Sequence, residues 1–235
     1  MEELTNWISE NTDTIIFIGL ILILVISLIT IISYFSNKAV VLRTLRKKKK
    51  TAISSLQEGQ IAKVIGKAKS ISEGLSAPLS GRKCVYYKIE VQEKRGGKNR
   101  HWHTIINDEK AQDFIVESYA GKAIVKMYSY KGYFLEDKKY KSGFFEDTTL
   151  KLENYLEKHG KKSLSILGFN KTMRFKEAII AIDEEIAVMG MVKYQDSSQY
   201  GIKSSYSKLP VLQEEAKTQL FISDDPKALE ENGVK

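Results

Sequence analysis

Between Thr14 and Asn37 the chain carries no charged residue, and from Ile15 to Phe35 only Gly19, Ser27, Thr30 and Ser33 interrupt the apolar side chains. As an α-helix, the 21 residues from Ile15 to Phe35 rise about 31 Å, the thickness of a bilayer's hydrocarbon core. A run this long and apolar on every side does not suit the core helix of a globular domain, which shows an apolar stripe and a polar back. A cleaved signal peptide is a poor match as well. The preceding residues hold Glu2, Glu3, Glu10 and Asp13 and no base, whereas a signal peptide opens with a basic region and closes on a small-residue cleavage site. The segment reads as a transmembrane helix over 14–37.

The flanks set an expected orientation. Lys38, Arg43, Arg46, Lys47, Lys48, Lys49 and Lys50 follow the apolar run, and basic flanks stay on the cytoplasmic side. Residues 1–13 are therefore expected outside as a short acidic tail, and everything after about residue 38 in the cytoplasm. The run Arg46–Lys50 is sufficiently explained as a stop-transfer flank. It also suits lasting contact with anionic lipid headgroups, worth up to about 1 kcal/mol per basic residue. The chain's formal charge of +8 owes much to this flank. Residues 51–235 hold 30 basic and 25 acidic residues, a mild excess and no nucleic-acid footprint.

A single cysteine excludes an intramolecular disulfide framework, and Cys84, His101, His103 and His159 cannot supply the roughly eight ligands of a two-zinc module. No cofactor is expected. The chain contains no G-x-S-x-G elbow, no P-loop and no GxGxxG fingerprint.

Beyond the membrane flank, a basic helix or linker over 38–57 is expected to continue out of the bilayer and stop near Gly59. The pattern then turns to strands: Gln60–Ala68, Cys84–Val91, Trp102–Ile106, Asp113–Glu117, Ala123–Met127, Met173–Ala181, Ile186–Tyr194 and Leu220–Ile222. Arg95-Gly96-Gly97-Lys98 and Ala120-Gly121 mark hairpins. In Cys84–Val91 alternation puts Val85, Tyr87, Ile89 and Val91 on one face, and Cys84, Tyr86, Lys88 and Glu90 on the other. Asp147 is the expected N-cap of a helix whose Leu152, Tyr155, Leu156 and His159 share a face, with Gly160 as its stop. Residues 195–209 read as a polar loop, and Ser223 as the cap of a helix reaching Asn232. Ile61–Gly66 weakly echoes Ile186–Gly190. The expected fold class is α+β, mainly β: one transmembrane helix, then a compact barrel-like domain over 58–235 with a few short helices.

The block Ala77-Pro78-Leu79-Ser80-Gly81-Arg82-Lys83-Cys84-Val85-Tyr86-Tyr87 strongly resembles the signature of the GIDE domain, also called BAM ("beside a membrane"). Looser blocks follow in the same order: Trp102 and the hairpin near Phe114–Val125, then Arg174–Gly190, then Phe221–Asp224. The resemblance covers residues 58–232. It implies kinship with membrane-bound ubiquitin ligases of the MULAN type, which place such a domain beside a membrane and carry a C-terminal RING finger. The zinc ligands of a RING are absent here, so ligase chemistry does not transfer with the likeness.

Several clusters invite a reading as sites. His101 and His103 share a strand face but lack an identifiable third metal ligand. Cys84 lies opposite the apolar row, but no spacing marks a partner that would activate a thiol, and a buried small residue is the better reading. Tyr128–Phe145 interleaves aromatics with lysines. That pattern holds single-stranded nucleic acid in some proteins and interfacial lipid in others, but a hairpin with one face in the core explains it most simply, and nucleic acid is disfavoured. Two functions stay open. One is a non-enzymatic interaction or regulatory module for an unidentified membrane or cytoplasmic protein. Its surface would comprise Pro78, Ser80, Gly81 and Arg82, with Tyr86 on the exposed strand face and Tyr130 and Tyr133 nearby. The other is an enzyme-linked role, either in ubiquitin-like ligation with a RING supplied in trans or as an unrecognised hydrolase.

Overall fold

The computed structural model describes residues 11–96, 100–142, 150–164, 171–202, 207–216 and 218–230. The chain divides into two units at the Val40–Val41 junction. The first contains helix α1 (Thr12–Tyr34). Its Ile16–Tyr34 stretch has no buried residue and is long and apolar enough to cross a membrane. Two of its hydroxyls are satisfied within the helix, with Ser27 Oγ donating to Leu24 O and Thr30 Oγ1 to Ser27 O, each at 2.7 Å. Such back-bonding is what a helix without polar neighbours requires.

The second unit is α+β and mainly β. Its centre is a closed five-stranded barrel of β1 (Ile61–Ser70), β5 (Phe114–Ser118), β6 (Gly121–Val125), β11 (Lys208–Gln213) and β10 (Glu185–Asp196). The circuit closes because β10 pairs back onto β1, with Val64 opposite Val188. The echo between Ile61–Gly66 and Ile186–Gly190 therefore falls on two strands that pair antiparallel. Its glycines mark close approaches: a Cβ on Gly66 would lie 2.4 Å from Glu117 O, and one on Gly190 2.7 Å from Leu220 Cδ1. Small residues at such barrel corners let one backbone cross another. Beyond β10 the sheet extends through β12 (Phe221–Ser223) to β7 (Lys131–Tyr133). Inward residues such as Val64, Phe114, Val125, Val188, Leu212 and Ile222 fill the interior.

A second sheet joins β2 (Leu75–Ser76), β3 (Lys83–Arg95), β4 (His101–Ala111), β9 (Met173–Ala181) and β8 (Lys138–Ser142). One face is covered by helix α3 (Leu150–Lys158), whose Leu152, Tyr155 and Leu156 pack on Ile89, Val91, Met173 and Phe175. The other face contributes Tyr86 and Ile180 to the barrel core. The expected alternation in β3 holds for Tyr87, Ile89 and Val91 but fails at its start. The register against β9 jumps from Cys84–Ala181 to Tyr86–Ile180, so Val85 is the extra residue of a bulge. A bulge turns neighbouring side chains to one side, and Val85 and Tyr86 both enter the barrel core.

Other expectations change at the element ends. Helix α2 (Asn37–Lys47) stops at Lys47 and does not run on toward Gly59. Its Val41, Leu42 and Leu45 pack on Ile65, Ala187, Met189 and Ala228, after which an extended stretch and a 3-10 turn at Ile53–Ser55 lead into β1. The stretch expected as a polar loop over 195–209 contains the end of β10, a 3-10 turn at Ser197–Tyr200 and the start of β11. The last helix, α4 (Pro226–Leu229), is capped by Asp225, whose Oδ1 accepts Lys227 N at 2.9 Å, and not by Ser223. Asp147 and Asn232 lie outside the described residues. Tyr128–Phe145 does not form a hairpin: β7 pairs with β12 and β8 with β9, in different sheets, while 143–149 lie outside the described residues.

Candidate functional site

The turn from Ala77 to Arg82 connects β2 to β3. It is closed by Ala77 N donating to Arg82 O at 2.9 Å and Gly81 N donating to Ala77 O at 2.8 Å. Gly81 supplies the left-handed conformation, φ +75°, that this closure needs. The turn is also held from beneath. Glu177 on β9 is fully buried, and its carboxylate accepts Leu79 N at 2.8 Å and Ser80 N at 3.2 and 3.0 Å. From the side, Arg82 Nη1 donates to Asp137 Oδ1 at 2.7 Å, while Asp137 Oδ2 accepts Ile179 N at 3.0 Å. Leu79 anchors the turn in the core under α3. Arg82 N donates to Ser80 Oγ at 3.3 Å, and Gly81 and Arg82 face solvent with Pro78 and Ser80 half-buried. The result is a preorganised loop on the edge of a sheet, with Gly81 and Arg82 as its exposed tip, a placement from which proteins often bind partners.

Tyr86 is not part of that exposed surface. It is 1 % exposed and packs against Phe134 at 4.3 Å and Tyr130 at 6.1 Å between ring centres. The Val85 bulge and the second layer over β3 bury a face that alternation alone assigns to solvent. Tyr86 and Tyr130 do come together: their hydroxyls donate to Glu109 Oε1 at 3.1 and 2.7 Å, and Lys88 Nζ lies 3.3 Å from Glu109 Oε2. Burial works against the Glu109 charge, but the hydrogen bond from Tyr130, the Lys88 charge and the bond from Tyr86 outweigh it and hold the carboxyl below its ordinary range. Burial, with the Glu109 charge beside them, drives both tyrosine hydroxyls well above theirs. This cluster fastens one layer to the other. Tyr133 sits apart, half-buried against the α2 contact.

The basic run is intact as a surface. Arg46 and Lys47 close the last turn of α2, Lys48–Lys50 follow, and all five are exposed. A helix C-terminus is a favourable place for cations.

Cys84 is buried, with its thiol against Leu75 O at 3.8 Å, and burial beside Glu177 pushes it up to about 11, away from reactivity. The rings of His101 and His103 lie 4.2 Å apart, tilted at 53°, and Trp102 lies under Arg174 at 4.3 Å. Among the described residues no three His, Cys, Asp or Glu side chains are arranged to hold a metal ion. His159 is used structurally: Nδ1 meets Tyr155 O at 2.9 Å and Nε2 lies 3.7 Å from Asp108, which also accepts the Tyr155 hydroxyl at 3.0 Å.

Glu177 and Asp137 are the residues that sequence reasoning missed. A signal existed for the first: strand parity from Met173 through Phe175 to Ile179 places Glu177 in an apolar row, where an acid needs dedicated donors. No family model, curated protein or solved structure matches the chain.

Proposed function

We propose that this protein is a single-pass, membrane-anchored interaction module, with its N-terminus outside and its folded unit presented at the cytoplasmic face. Kinship with the GIDE/BAM domains is part of this reading, on the strength of the Ala77–Tyr87 block. The observation that carries it is the Ala77–Arg82 turn. A fully buried carboxylate and a bonded arginine hold this exposed loop in one conformation. A loop that pays no ordering entropy on docking is suited to recognising a protein partner. The α1 helix supports membrane anchoring by its length and composition, and Arg46–Lys50 supports both orientation and contact with anionic headgroups.

The test is quantitative crosslinking and co-purification of the full chain from native membranes. The comparison is with Arg82→Gln, which removes the exposed charge without setting an acid against Asp137, and a melting curve reports that the variant folds. A stoichiometric partner lost in the variant is the expected result. Unchanged recovery removes this turn from consideration.

A further inference from the structure

The barrel has one incomplete seam. Strands β6 and β11 pair in parallel only at Ile124–Val211 and Val125–Leu212. Before that point Gly121–Ala123 and Lys208–Pro210 diverge, and the gap opens into a groove of about 490 Å³, within the size range of small-molecule sites. Ile53, Ile115, Ile124, Ile202 and Leu209 make its hydrocarbon walls. Tyr194 also lines it, but its hydroxyl is already committed to Leu56 O at 3.0 Å.

We infer that this groove binds a free long-chain fatty acid, with the acyl chain along the seam and the carboxylate at Lys208 and Lys122. Two observations select this occupant. The first is charge: among the described residues the ionisable side chains lining the groove besides Tyr194 are Lys122 and Lys208, and none of those lining it is an acid. Lys208 is exposed and, although Asp196 stands opposite it on β10, it closes no ion pair there. Lys122 pairs with Glu117 at 2.9 Å but leaves over half its side chain exposed, with donors to spare. The second is backbone chemistry, which disfavours an added peptide strand. Leu212 O accepts Lys126 N at 3.0 Å, so Leu212 turns its backbone polar groups toward the β6 side. Alternation directs those of residue 210 the same way. Residue 210 is proline, which has no N–H, so the β11 edge lacks a donor in the middle of the seam. An acyl chain needs none.

The experiment uses the full chain in nanodiscs of zwitterionic lipid, with a photoreactive long-chain fatty acid and the matching fatty alcohol as probes. Crosslinks are expected on the Ala120–Ile124 and Leu209–Val211 stretches. Filling the groove from its rim with Ser54→Trp, or independently with Ala120→Trp, should abolish them. These positions are exposed and half-exposed, and a melting curve for each variant reports whether it folds. Lys208→Glu should weaken labelling by the acid about tenfold, the worth of one charge-assisted hydrogen bond, and leave labelling by the alcohol unchanged. Labels confined to α1, labels indifferent to both tryptophans, or equal loss with acid and alcohol would overturn the assignment. So would equal labelling by a two-chain phospholipid probe.

Discussion

Glu177 is an acid where strand parity asks for a hydrocarbon. Its burial is tolerated because the carboxylate takes the backbone donors of Leu79 and Ser80, groups that would otherwise be buried without partners. Removing it exposes the asymmetry between making a hydrogen bond and orphaning its partner. Glu177→Ala should lower stability by about 3 kcal/mol, whereas Glu177→Gln, which keeps one acceptor oxygen, should lose less. Urea unfolding of the folded unit would measure both, and an alanine variant as stable as the parent would show that the turn closes without the carboxylate. Tyr86 teaches the complementary lesson. Its residue type and its position in an alternating strand are readable, but its burial depends on Val85 being a bulge and on Tyr130 and Phe134 arriving from far along the chain.

At the scale of elements, the two strands that extend the sheet beyond the barrel, β12 and β7, are joined by a clasp. Ser223 Oγ donates to Tyr133 O at 2.6 Å, and the Asp224 carboxylate accepts Leu135 N at 2.9 and 3.2 Å, so the chain leaving β7 is tied to the end of β12. Asp224 is buried there with the charges of Glu184 and Asp137 near it. Burial first, then those acids, against the bond from Leu135, raise its carboxyl to about 7. A carboxyl raised in the folded state binds its proton more tightly folded than unfolded, so its contribution is fully present below the ordinary carboxylate range. It is lost as pH climbs toward about 7. Stability should therefore fall by a few kcal/mol between about pH 4 and pH 7 from this group, and Asp224→Asn should flatten that part of the profile. Denaturant titrations across that range decide it, and an unchanged slope in the asparagine variant would assign the effect elsewhere. Element existence was largely legible, since most strands carry their own β-branched periodicity. Strand β11 was not, because Lys208, Pro210 and its polar approach mask a strand whose place is made by pairing with β10.

At the scale of the whole molecule, orientation is open to direct labelling. A cysteine placed in the first ten residues should react with an impermeant thiol reagent in intact cells. Cys84 is a poor inside control, because burial and a raised thiol pKa silence it on either side of a membrane. Tyr119→Cys serves better, since Tyr119 is 96 % exposed at the β5–β6 turn. It should react only after permeabilisation, and reaction in intact cells would reverse the proposed topology.

Local chemistry determined the apolar helix, the basic flank that follows it, the mainly β character of the rest and the turn at Ala77–Arg82. Each rests on residues adjacent in the chain and on periods that composition cannot hide. The tertiary structure alone decided which side chains around that turn face outward. It also decided that Glu177 and Asp137 fix the turn from 98 and 55 residues away, and that the barrel's seam parts beside Pro210. Those outcomes depend on contacts between distant segments, and a bulge or a strand crossing changes them without leaving a mark on the local pattern.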